Sequence, residues 1–394
     1  MSRILRPEIG YLLNEIAQSL DISDTLFEDA ERKYRAVGSW LGEGDSQLAK
    51  FTPEIYPQGS FLLGTVIKPL SDEDEYDIDL VFRLLILKDQ ISQKELKNLV
   101  GDRLKASEVY KHMLDEEGKR CWTIKYAESA QFHMDILPAI PDELYSSILQ
   151  KEGIPVNFAS TSINITDKTL ENYSSISTNW PRSNPKGFAA WFQSRMLIQY
   201  SELYKRVYGE AYKAEIEKVP NYRIKTPLQR CIQLLKRHRD INFMNDQDNK
   251  PASILITTLA ANSYENEADI IDAMVNIIDR MPSFLVKRNG VAWVPNPIDP
   301  TENFADRWVD NPNRERNFMY WLQKVKSDFN RILTCYDLDS ARKILIPIFG
   351  ERVSNSSIAK LEEKSQSEAP FYNSVLQKTP PIVNITNPPK PWKA

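Results

Sequence analysis

The sequence predicts an α+β lobe built on a mixed β-sheet, followed by an all-helical lobe. Three observations lead there. Between residues 55 and 141 the apolar pattern turns to short alternating, β-branched runs. A Ser/Thr/Asn-rich connector then occupies 160–184. Beyond it, apolar residues recur every three or four positions through several long segments, the signature of packed helices.

The bulk composition fits this class. With 394 residues, 42% hydrophobic and 26% charged, the chain can bury sizeable cores and is neither disordered nor collagenous. Fifty Lys+Arg against 54 Asp+Glu leave a net charge of −4, which excludes a pervasively basic nucleic-acid coat and argues against a long RNA track. Three cysteines about a hundred residues apart make no zinc spacing and suit a reducing cytoplasm. No run approaches a membrane span, and residues 1–10 lack the apolar core of a secretory signal. A cytoplasmic protein without a membrane is therefore expected.

Taken in order, 7–20 and 24–40 read as helices, the second opened by Ser23 with Phe27, Tyr34 and Val37 on one face. A short helical stretch at 61–66, an acidic loop at 71–75 and a β-rich run at 76–87 follow. A helix is expected at 92–114, then strands at 120–127 and 132–137, joined by a polar turn and closed by Pro138 and Pro141, as an antiparallel-looking core. In the second lobe the spacing predicts helices at 186–207, 227–243, 251–264, 268–281 and 314–333. The units expected are 1–180, 181–365 and a polar, proline-rich unpacked tail at 366–394.

The chemistry concentrates in the first lobe. Of four Asp-x-Asp triplets, only Asp77-Ile78-Asp79 opens an apolar β-run, where residues i and i+2 project from one face and set two carboxylates side by side. Such a pair is an exposed strand end or a site for divalent cations, and two Mg²⁺ about 3.5–4 Å apart suit in-line phosphoryl displacement. Gly59-Ser60 precedes it in a turn able to meet phosphates. Asp135, within Phe132-His133-Met134-Asp135, offers a third carboxylate, with His133 either orienting it or resting at the pocket edge. Lys236, in the basic group Lys236-Arg237-His238-Arg239, reads by itself as part of a solvated helix face.

In this order, Gly59-Ser60, Asp77-Ile78-Asp79 and Asp135 resemble the active site of the polymerase-β-like nucleotidyltransferases. The wording of Gln58-Gly59-Ser60-Phe61, Tyr76 to Leu80, Met134 to Pro141 and Ser183-Asn184-Pro185-Lys186-Gly187 is similar to the cGAS/DncV-like nucleotidyltransferases of bacterial CBASS anti-phage systems. Pro297 to Asn303 resembles a loop of oligoadenylate synthetases, and Phe349 to Val353 a late DncV segment. The likeness spans 55 to about 364. The spacing of Ser60 from Asp77 is longer than in many such enzymes, because of the acidic loop, which gates the site or is a solvated insertion.

The resemblance implies a bilobal enzyme that condenses NTPs, ATP and GTP among them, into a cyclic di- or trinucleotide messenger with release of pyrophosphate. Asp77, Asp79 and Asp135 would hold two Mg²⁺, with Mn²⁺ able to substitute, and Asp135 would accept the proton of the attacking hydroxyl. Gln58, Gly59, Ser60, Lys236 and Ser253 would bind the triphosphate. Ser183 and Asn184 either read the base under a lid or cap the helix that follows. The product would activate an effector protein, and the chain would be joined to other molecules by an E1/E2-like enzyme through Ala394, unless the tail is a frayed end. Transfer to an RNA end or a protein hydroxyl, and a catalytically silent nucleotide- or RNA-sensing module, are the alternatives. The three retained aspartates weigh against the silent module.

Overall fold

A computed structural model describes residues 4–71, 75–126, 132–208 and 224–376. Helix α1 (Arg6–Ser19) leads to α2 (Asp24–Gly42), whose Ser23 hydroxyl accepts the Leu26 N–H as the expected cap. Strand β1 (Glu54–Pro57), the one-turn helix α3 (Gly59–Leu62), strand β2 (Tyr76–Arg83) and helix α4 (Gln93–Lys105) follow. Ser92 and Glu95 form a reciprocal capping box on α4. The helix stops short of the expected 114, since Ser107 Oγ accepts the N–H groups of Val109 and Tyr110 and starts a separate turn.

Strands β3 (Trp122–Lys125) and β4 (Phe132–Pro141), helices α5 (Glu143–Lys151) and α6 (Val156–Ala159), and strands β5 (Ile163–Ile165) and β6 (Arg182–Ser183) complete the first lobe. The six-stranded sheet runs β1-β2-β4-β5-β6, with β3 also paired to β4. Its centre corrects the antiparallel expectation: β2 and β4 are parallel, because the chain crosses behind the sheet through α4 before returning. Nor does Pro138 close β4, which runs on and ends at Pro141. Ala139 O accepts from Leu84, which turns odd-numbered residues of β4 toward β2. Pro138 therefore faces the other edge, in the gap between the stretches paired with β3 and β5, where no ladder bond is lost.

Period-2 burial gives this sheet two faces. Ile78, Leu80, Phe82, Met134 and Ile136 pack against Ala30, Val37 and Leu41 of α2 and Leu96, Val100 and Leu104 of α4. The opposite face carries Asp77, Asp79, His133 and Asp135 at one end, and Val81, Leu137 and Ala139 beyond them.

The second lobe contains α7 (Pro185–Tyr208), α8 (Pro227–Asn242), α9 (Ser253–Ser263) and α10 (Ile270–Arg280). Two small two-stranded sheets follow, β7 (Val286–Arg288) with β8 (Val291–Trp293), and β9 (Pro295–Asn296) with β10 (Asp299–Asn303). Helices α11 (Arg307–Asp310), α12 (Asn313–Leu333), α13 (Leu338–Phe349) and α14 (Glu351–Leu376) end the described chain. The last helix enters the stretch expected as tail, anchored by buried Ile358 and Leu361, while 377–394 lie outside the described residues. The expected first unit, 1–180, is divided between two cores: α1 buries Leu12, Leu13 and Ile16 in the helical core, whereas α2 packs on the sheet. Gly187 lets α7 cross α6 closely, since a Cβ there would sit 2.1 Å from the Phe158 carbonyl oxygen. Among the described residues no helix is long and apolar enough to cross a membrane.

A buried polar relay joins α8 to α12. Trp321 Nε1 donates to His238 Nδ1 at 3.0 Å, and His238 Nε2 donates to Asp328 Oδ2 at 3.2 Å. Lys324 and Arg331 complete the pairing of Asp328. With one ring nitrogen accepting, the imidazole is neutral, and burial lowers its pKa from the ordinary 6.5. The unfolded chain thus takes up a proton near pH 6.5 that the folded chain refuses, so stability falls as pH drops through that value. His238→Gln, which can donate to Asp328 and accept from Trp321, should flatten the slope of urea-unfolding stability between pH 7 and 5 while changing stability at pH 7.5 by less than about 2 kcal/mol.

Candidate active site

The site is assembled by strand register. Asp79 lies opposite Asp135 and Asp77 opposite His133 across the parallel β2–β4 pair, so three carboxylates and one imidazole share one face. Gln58 N–H donates to Asp79 O at 2.8 Å, extending the β1–β2 ladder into the Gly59-Ser60 turn. Gly59 has φ of 62°, and a Cβ there would lie 2.6 Å from Asp79 Oδ2. Only glycine permits both the backbone and the approach. Gln58, Gly59 and Ser60 are thereby placed beside the carboxylates.

The electrostatics of the cluster follow from this crowding. Burial, reinforced by repulsion from Asp77 and Asp135, pushes the Asp79 carboxyl up to about 6. His133 does not turn to Asp135. It bridges Asp77, through Nε2, and Glu75, 3.2 Å from Nδ1. The hydrogen bond to Asp77 raises the His133 pKa to about 9, and the same bond, helped by the Lys250 ammonium, holds Asp77 below the usual carboxylate range. Thr123, opposite Asp135 on β3, donates to Asp135 Oδ1 at 2.5 Å and leaves Oδ2 unused by that contact. Cys121, nearby, remains a thiol, its pKa pushed up to about 12 by burial and by Asp135 and Asp79.

Across from the sheet, α8 supplies the cations and α9 a hydroxyl. Lys236 to Arg239 are all buried, which corrects the solvated-face alternative. Lys236 Nζ donates to Thr65 O at 2.9 Å and to Thr65 Oγ1 at 3.2 Å, behind the Ser60 turn, and burial brings its pKa down to about 7. Ser253, the first residue of α9, accepts from Arg239 Nη1 at 2.8 Å. Asn184 serves as a structural post for α7: Oδ1 accepts from Gly187 N–H at 2.9 Å and from Thr161 at 2.8 Å, and Nδ2 donates to Phe158 O at 2.6 Å. Its neighbour Ser183 pairs with Ile163 at the sheet edge. Lys250, Thr123 and Glu75 escaped the sequence reading. Thr123 was accessible through the pairing of two adjacent strands, whereas Lys250 and Glu75 approach through loops. The acidic-loop residues 72–74 lie outside the described residues.

The donor set suits hard divalent cations: carboxylate oxygens only, clustered until they repel. Among the described residues no three Asp, Glu, His or Cys side chains already converge as a metal cage, and Asp77 is engaged by His133. That contact takes Oδ1 of Asp77 and leaves Oδ2 to serve as a ligand.

Residues 53–138 match the family described as cyclic GMP-AMP synthase DncV-like, nucleotidyltransferase domain. The chain is 29% identical over 340 residues to a c-di-GMP synthase of Roseivirga ehrenbergii, covering 86% of this chain and 83% of that protein. It is 25% identical over 373 residues to the cyclic dinucleotide synthase CdnG of Bradyrhizobium diazoefficiens, covering 90% and 83% respectively. The solved structure of that CD-NTase in complex with GTP superposes with a TM-score of 0.67 at 22% identity, over 90% of this chain and 99% of the other. The bilobal fold is shared.

Asp77→Asn and Asp79→Asn keep side-chain shape but remove charge, and each should lower nucleotidyl transfer on the order of 10³-fold in a protein that still folds. Thr123→Val should weaken Mn²⁺ binding, followed by electron paramagnetic resonance, about tenfold, since the carboxylate loses the group that orients it.

Proposed function

We propose that this nucleotidyltransferase, whose residues 53–138 form a DncV-like domain, condenses NTPs into a cyclic di- or trinucleotide with release of pyrophosphate. The observation that supports this most is the Gly59-Ser60 turn set against Asp79, with Asp77 and Asp135 on the same strand face. A turn that can meet phosphates, placed beside clustered carboxylates, is what transfer of a nucleotidyl group requires. The name of one relative, c-di-GMP synthase, favours a guanylate-containing product with GTP as a substrate, and ATP is proposed beside it from the resemblance of the sequence alone.

In this reading Asp77, Asp79 and Asp135 hold two Mg²⁺, replaceable by Mn²⁺, which supply positive charge against the triphosphate. Ser60 meets the phosphates from one lobe. Lys236, Lys250 and the Arg239-supported Ser253 contribute from the other. Asp135, with Oδ1 held by Thr123, takes the proton of the attacking ribose hydroxyl. The ribose oxygen then forms a bond to the α-phosphorus as the bond to the β-phosphate oxygen breaks, and pyrophosphate departs with that electron pair. A second transfer closes a dinucleotide ring, and a third is needed for a trinucleotide.

The proposal includes a cytoplasmic role in anti-phage defence, a product-activated effector, and conjugation through Ala394 by an E1/E2-like enzyme. The conjugation rests on the proline-rich sequence of the tail. The chain, incubated with four labelled NTPs and Mg²⁺ or Mn²⁺ and then treated with phosphatase, should leave a phosphatase-resistant product that requires GTP and vanishes in Asp77→Asn. Label recovered solely as inorganic phosphate and nucleosides would overturn the reading.

A further inference from the structure

Residues 63–69, which follow the Ser60 turn, form irregular chain in the interior: Leu63 and Thr65 are buried, and Leu63 belongs to the helical core. Irregular backbone placed inside a protein needs partners for its carbonyls. Here they come from one face of one helix. Gln229 Nε2 donates to Leu63 O at 3.0 Å, Gln233 Nε2 to Val66 O at 2.9 Å, Lys236 Nζ to Thr65 O at 2.9 Å, and Arg237 Nη2 to Lys68 O at 2.7 Å and Pro69 O at 3.3 Å. The donors sit at i, i+4, i+7 and i+8 of α8, a single stripe. The segment is tied in turn to the phosphate-binding turn, since Thr65 N–H donates to Ser60 O at 3.0 Å. At its far end Lys68 N–H donates to Leu20 O, beside Asp21, which Arg230 and Gln233 of α8 also hold.

We infer that Gln229, Gln233 and Arg237 are positioning residues for nucleotidyl transfer: the stripe sets the height and tilt of the Gly59-Ser60 turn over Asp79. The turn holds its working geometry only while the two lobes are docked. None of the three needs to touch the nucleotide, and the inference rests on the reading of that turn as the triphosphate site given above.

Three substitutions at two positions isolate the effect. Gln229→Glu preserves the capping box, because Thr226 N–H and Oγ1 donate to Gln229 Oε1 and glutamate accepts equally well. It nevertheless turns an oxygen toward the Leu63 carbonyl. Arg237→Met removes both donations to 68 and 69, and Arg237→Lys restores at least one. Binding is read by calorimetry with a non-hydrolysable GTP analogue and with GMP, which has no β- or γ-phosphate, and folding by thermal melting. Gln229→Glu and Arg237→Met should each weaken the triphosphate analogue about tenfold, the scale of one lost hydrogen bond, with GMP affinity unchanged and Arg237→Lys close to wild type. Triphosphate affinity equal to wild type in a folded Gln229→Glu protein, or an equal loss for GMP, would overturn the inference. If Arg237→Met does not fold, Gln229→Glu and Arg237→Lys decide. These readouts are independent of product: a wild-type chain that binds the analogue but makes no cyclic nucleotide would refute the proposed synthesis and leave the positioning role standing.

Discussion

The demand of buried backbone carbonyls for hydrogen-bond donors is the constraint on which this architecture depends. An irregular segment runs between the sheet lobe and the helical lobe, and it has no strand or helix to satisfy it. Helix α8 meets that demand with a stripe of Gln, Lys and Arg side chains, and is buried on nearly every face as a result. An interior Lys or Arg is costly unless paired. The cost is offset because each donor satisfies a carbonyl that would otherwise be orphaned. The two lobes therefore share polar as well as apolar contacts, and α1 adds to the join by packing its apolar face into the helical core while its C-terminal end receives Arg230.

The carboxylate cluster obeys the opposite logic. There the register of β2 against β4 brings like charges together, and the structure leaves the imbalance uncorrected at Asp79 while His133 and Lys250 compensate Asp77. Compare His238, where every polar atom of the relay has a partner of matching role and the group serves packing. A satisfied buried network stabilises, whereas a strained cluster on a lobe-facing surface retains the capacity to bind cations.

Several elements were legible because their signals are local. Ser23 before α2, the apolar alternation of β2 and the helical spacing of Phe318, Leu322, Val325 and Phe329 in α12 each need only neighbours in the chain. The errors share a cause. Pro138 breaks strands in isolation but sits harmlessly in a gap between two pairing partners, and α14 reads as polar until α1 and α13 provide a surface for it. Both depend on which distant segment lies alongside.

For the site the same division holds. Sequence by itself determined the carboxylates at Asp77, Asp79 and Asp135 and the turn at Gly59-Ser60, since alternation along a strand and the freedom of glycine are properties of a few consecutive residues. Tertiary structure decided what each remaining group does. It turned His133 toward Asp77 and Glu75, set Thr123 on Asp135, committed Asn184 to capping α7, and buried Lys236 and Arg237 of α8 against carbonyls some 170 positions away. A side chain's role depends on the donors and acceptors it meets, and for these residues the partners come from elements that only folding brings within reach.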